Sequence, residues 1–115
     1  MAVYTLINGA TQVFATFTTI IPYQTDNPIP QPTIGNVQGF QLVVKGNNGQ
    51  NVSATVQIAT SNDGVTWSNY VDALTAMGVT TGNATWNATG NYKFFSAILT
   101  AISGTGAKAT LTMSA

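Results

Sequence analysis

Alternation of apolar and polar positions is the dominant pattern along this chain. In NVSATVQIAT, Val52, Ala54, Val56 and Ile58 fall on one side and Ser53, Thr55 and Gln57 on the other. That period of two is the signature of a strand with one buried face. GFQLVVK places Phe40, Leu42 and Val44 inward, and AKATLTMSA does the same with Ala109, Leu111 and Met113. QVFATFTTI sets Val13, Ala15 and Phe17 opposite Phe14 and Thr16, a strand with aromatic residues on both sides. NYKFFSAILTAI is apolar on both faces, Phe94 and Ile98 on one and Phe95 and Leu99 on the other. Such a strand is either central in a sandwich or covered by a neighbouring subunit. Only Asn69 to Gly78, NYVDALTAMG, offers helical spacing; two turns of helix or a strand plus loop fit it equally.

Between these runs lie GNNGQN (46–51), SNDGVTW (61–67), TTGN (80–83), ATGN (88–91) and SGTG (103–106). Glycine and asparagine supply the backbone angles of tight reversals. Short alternating strands with turns at short intervals predict an all-β fold, an antiparallel β-sandwich or jelly roll of seven or eight strands. One stretch departs from this. Residues 20–35, IIPYQTDNPIPQPTIG, contain all four prolines. Proline donates no amide hydrogen and biases the residue before it towards extended conformations, so no central strand is expected here. The stretch is either a loop crossing one end of the sandwich or an extended arm docking on a neighbour through Tyr23, Pro28, Ile29, Pro30, Pro32 and Ile34. Its apolar residues argue against disorder.

The chain of 115 residues suits one domain, 1–115, large enough for a core of its own. Charge changes the picture more than length does. Only 5% of residues are charged, against about 25% in ordinary domains. They are Asp26, Asp63, Asp72, Lys45, Lys93 and Lys108, with no arginine, glutamate, histidine or cysteine. The net charge of zero offers no field to attract nucleic acid or anionic lipid. No run approaches the roughly 20 apolar residues of a membrane span. MAVYTLINGA has no positive region, so no secretory leader is expected. The Asn-x-Ser/Thr triplets at Asn51, Asn83 and Asn87 are therefore read as chance.

The same inventory argues against catalysis. Acid–base chemistry needs a tuned titratable group; histidine and glutamate are missing, and the three aspartates are scattered. No histidine is available to activate a serine or threonine, Lys45, Lys93 and Lys108 sit in no recognisable motif, and neither imidazole nor thiolate is present for zinc. No catalytic residue, metal or cofactor is expected. SNDGVTW is the one suggestive cluster. It approaches the Asp-box S-x-D-x-G-x-T-W, but Asp63 and Gly64 are adjacent where that motif separates them by one residue. A hairpin in which Asn or Asp bonds its own backbone explains the same residues. Trp67, Tyr70, Trp86 and Tyr92 form an alternative, an aromatic platform for a sugar ring.

With SNDGVTW read as a turn, VQIATSNDGVTWSNY followed by GNYKFFSAILTAISGTGAKATLTMSA resembles small β-sandwich virion proteins of tailed bacteriophages. In these a strand enters S-N-D-G-x-x-W, and a later aromatic-rich strand runs into T-x-I-S-G-T-G before a last alternating strand. Residues 52–115 carry the resemblance, with Tyr92-Lys93-Phe94 a close variant of the family's Y-R-Y or Y-K-Y. Such domains serve as capsid decoration (cement) proteins, head fibres and tail or baseplate modules. The resemblance implies a non-enzymatic structural role in the virion. The leading expectation is a decoration protein, assembled in the host cytoplasm as a homotrimer and bound to the major capsid protein. A carbohydrate-binding adhesion module or a tail/baseplate subunit is the alternative.

Overall fold

The structure, a computed structural model, describes residues 3–15, 37–63, 65–90, 92 and 94–114. The proline-bearing stretch 20–35 lies outside them, and with it Tyr23, Pro28, Ile29, Pro30, Pro32 and Ile34. The described residues are all-β: β1 (Val3–Ala10), β2 (Val37–Lys45), β3 (Asn51–Ser61), β4 (Ser68–Val79), β5 (Thr81–Thr89), β6 (Phe94–Ser103) and β7 (Lys108–Ser114). They form a four-stranded sheet in the order β1-β7-β2-β5 and a three-stranded sheet in the order β4-β3-β6, with every pairing antiparallel. A jelly roll needs eight strands in two Greek keys; seven are described here.

Alternation fixes the core. Phe40, Leu42 and Val44 of β2, Ala109, Leu111 and Met113 of β7, and Val52, Ala54, Val56 and Ile58 of β3 are buried in one cluster between the sheets. Phe95 and Leu99 of β6 join it, while Ile98, on the opposite face of that strand, is also buried. A face slipped by one residue would carry its apolar set to solvent, so this pattern specifies register strongly.

One open alternative is decided and two expectations are corrected. The stretch 69–78 forms no helix; it belongs to β4, where a register shift opposite Val56–Ile58 adds a residue to the strand. Within 12–15, strand pairing is limited to an isolated bridge, Phe14 to Leu99 of β6, with the Phe14 amide donating at 3.0 Å; Phe17 and the rest of that run lie outside the described residues. The turn at 80–83 is tighter than its composition implies. Only Thr80 lies outside a strand, and the chain passes there from the edge of one sheet to the edge of the other.

That corner depends on two glycines. A Cβ at Gly78 would collide with the carbonyl of Thr81, and one at Gly82 would stand 2.7–2.8 Å from the backbone of Met77. Thr80 has φ of 66°, rare for a β-branched residue. All its polar groups are held by the β2–β3 loop. Its amide donates to the Gln50 carbonyl at 2.7 Å, and its carbonyl accepts from the Gly46 amide at 2.8 Å. Its Oγ1 accepts from the Gly49 amide at 2.9 Å. The same loop reaches the β6–β7 connection, where the Asn47 amide donates to the Thr105 carbonyl at 3.0 Å.

Candidate functional site

The connection from β3 to β4 is the SNDGVTW segment, and its geometry follows from one side chain. Asp63 Oδ1 accepts from the Val65 amide at 2.8 Å, the Thr66 amide at 2.7 Å and the Ser61 hydroxyl at 2.8 Å. Ser61 Oγ in turn accepts from the Asp63 amide at 3.2 Å. This is the side-chain-to-backbone bonding by which aspartate builds turns. The amides of Thr66 and Val65, and then the Ser61 hydroxyl, hold the Asp63 carboxyl far below the usual carboxylate range. It is a poor proton donor or acceptor near neutrality, since a general acid or base needs its pKa near the working pH. The loop spans six residues between strands, longer than a two-residue Asp-Gly turn. Trp67 is half-buried immediately before β4.

Beside this loop is an open depression of about 420 Å³ lined by Thr60, Ser61, Asn62, Asp63, Thr66, Ser68, Asn69 and Tyr92. Its lining is hydroxyl and amide groups with a single carboxylate. Among the described residues, no group of three or more aspartate, glutamate, histidine or cysteine side chains is placed to hold a metal ion. Asp72 is exposed on β4.

Of the four aromatic residues in the platform reading, the structure brings two together. Tyr70 and Tyr92 meet edge to face with centroids 5.3 Å apart, and both contact Phe95, at 5.9 and 6.3 Å. Phe40 meets Tyr70 edge to face at 6.2 Å. This geometry suits the ring quadrupoles and makes the two tyrosines the margin of the core. Burial, and then the neighbouring Tyr92, push the Tyr70 hydroxyl above its ordinary range. Trp86 stands apart on β5, 48% exposed and without a ring partner among the described residues.

Sequence reasoning missed a second surface, the side of β4-β3-β6 turned away from the other sheet. Ser53 and Ser103 share a hydrogen bond of 2.7 Å, Thr55 and Thr75 one of 2.9 Å, and Gln57 donates to Asn69. Thr100 donates to the Thr55 carbonyl at 3.1 Å. Met77 and Val79 stand exposed on β4, 69% and 62%, beside a shallow hollow shared with Ser53 and Ser103. β3 and β6 contain no charged residue, and β4 contains only Asp72. The polar half of NVSATVQ signalled this face, but the hydroxyl partners lie 20 to 50 residues away.

Comparison with known proteins finds no family model, no curated protein and no solved structure that matches this chain.

Proposed function

We propose that this protein is a non-enzymatic structural component of a bacteriophage particle, a decoration protein that attaches to the assembled capsid as an oligomer, with a homotrimer the simplest form. The resemblance over residues 52–115 suggests the virion. The observation that carries the adhesive role is the nearly uncharged outer surface of β3, β4 and β6, where Asp72 is the single charged residue and hydroxyls satisfy one another beside exposed Met77 and Val79. Burying the part of this face around Met77 and Val79 against protein removes apolar area from water and leaves Asp72 as the one ion to keep at the rim. Asp63 supports the same reading, because its hydrogen bonds to the loop leave it a structural part rather than a reagent.

The mechanism is linkage. A ligand that binds the assembled lattice and not its separate subunits stabilises the lattice by its binding free energy. An oligomer touching several capsomers adds multivalency without strong single contacts. The apolar residues of 20–35 are the sequence's own candidates for a contact arm. The test is to add the purified protein to shells of the encoding phage that lack it, and to sediment them across a range of salt. Saturable attachment that changes little with ionic strength supports the proposal; absence of attachment, or a steep loss with salt, refutes it.

Exposed Trp86 favours a second reading, a glycan-binding adhesion module. Tryptophan fluorescence titrated with sugars separates the two, since a decoration protein gives no response.

A further inference from the structure

The chain contains two Asn-Gly dipeptides, Asn8-Gly9 and Asn48-Gly49. This is the sequence in which asparagine most readily loses ammonia, because glycine presents no side chain to shield its amide. The glycine nitrogen attacks the asparagine Cγ, forming a new N–C bond. The bond from Cγ to the side-chain nitrogen breaks, and ammonia leaves carrying the amide proton. Water then opens the cyclic imide to aspartate or isoaspartate. Attack requires the glycine N–H to be freed of its proton and its peptide plane to swing towards Cγ.

The two sites share an unusual geometry. Gly9 and Gly49 have positive φ, 65° and 79°, and a Cβ on either would meet nothing within 4 Å. Steric shielding is therefore absent at both. Each attacking amide is instead engaged by a threonine from a distant strand or corner. The Gly9 amide donates to Thr110 Oγ1 at 3.2 Å, and the Gly49 amide to Thr80 Oγ1 at 2.9 Å. Thr80 holds that position at a φ of 66°, the only positive value outside glycine among the described residues. A strained β-branched residue persists only where its surroundings over-determine it.

We propose that Asn48 and Asn8 are latent deamidation sites held silent by the hydroxyls of Thr80 and Thr110. The consequence is large for this composition. With three positive and three negative charges, one deamidation takes the net charge from zero to −1. The inference is independent of what the protein attaches to.

The experiment incubates native wild type, Thr80→Gly, Thr80→Ser and Thr110→Val in mildly alkaline buffer beside urea-denatured wild type. Aspartate and isoaspartate at positions 8 and 48 are counted by peptide mass mapping. Glycine accepts the corner's φ freely, so Thr80→Gly removes the hydroxyl without adding strain. Native wild type should deamidate more slowly than denatured chain at both sites. Thr80→Gly should speed Asn48 roughly five-fold or more, the population change that loss of one hydrogen bond allows, and leave Asn8 unchanged. Thr110→Val should do the converse, and Thr80→Ser should match wild type. Equal rates for native and denatured wild type overturn the proposal, as do wild-type rates at Asn48 in Thr80→Gly. A rise at both sites in either variant also overturns it, because that marks general loosening.

Discussion

The Tyr70 hydroxyl donates to Gln38 Oε1 at 2.6 Å, joining β4 of one sheet to β2 of the other at the margin of the core. Gln38 is fully buried, and its Nε2 continues the chain to the Gly90 carbonyl at 2.9 Å. A buried amide needs its partners, because losing one exposes the full desolvation penalty of the group. Tyr70→Phe should cost about 1–2 kcal/mol in urea unfolding. Combined with Gln38→Leu, the loss should be less than the sum of the single losses by at least about 0.5 kcal/mol. Strict additivity would show that the bond contributes nothing.

At the sheet-switching corner, Gly82→Ala should be among the most harmful small substitutions. The added methyl meets the Met77 backbone at 2.7–2.8 Å, and backbone yields less readily than a side-chain end. A loss of about 3 kcal/mol or failure to fold is expected. Gly49→Ala meets open space and carries only the cost of its positive φ, about 1–2 kcal/mol. Thermal unfolding of the two variants ranks them.

Asp63 gives the acid dependence its sign. Its carboxyl is held below the unfolded value by the Thr66 and Val65 amides and the Ser61 hydroxyl. The loop's contribution is therefore fully present above the ordinary aspartate range and is lost as pH falls towards the lowered folded value. A carboxyl titration followed by NMR should place the Asp63 midpoint below that of a free aspartate. Asp63→Asn should retain the loop, since an amide oxygen still accepts from Val65 and Thr66. Asp63→Ala should speed hydrogen exchange at both amides.

Lys45 and Lys108 are direct cross-strand partners at one end of the β2–β7 pair. Like charges in that position repel. Lys108→Glu turns the pair attractive and should stabilise the fold by a few tenths of a kcal/mol at low salt. Added salt should shrink the gain. A destabilised variant would show that the lysines are better accommodated than their register implies.

Much of the fold is legible in the sequence because β2, β3 and β7 alternate without interruption through their central residues, while β6 shows itself by being apolar on both faces. β4 was ambiguous for a local reason. The added residue near Asp72 spaces Val71 and Leu74 three apart, imitating a helix within an edge strand. β1 hid in a similar way. Register shifts between Thr5 and Ile7 and between Ile7 and Ala10 leave neighbours Leu6 and Ile7 both buried, so alternation fails there. Asp63 as a turn builder was readable, because its partners lie two and three residues away. The Tyr70–Gln38 bond and the Thr80 anchorage join residues about 30 apart, and only the assembled sheets bring them together.

Three reversals of the chain meet at the Gly46–Gln50 end, each fastened to another by main-chain bonds that no side-chain replacement deletes directly. Among the described residues, the opposite end is held by the Asp63 loop and the tyrosine margin, both fastened through side chains. A body laced at one end and buttoned at the other opens at the buttons. Heat or mechanical pull should first part the strands near Ser61, while the glycine-rich end stays shut until the whole sandwich gives way.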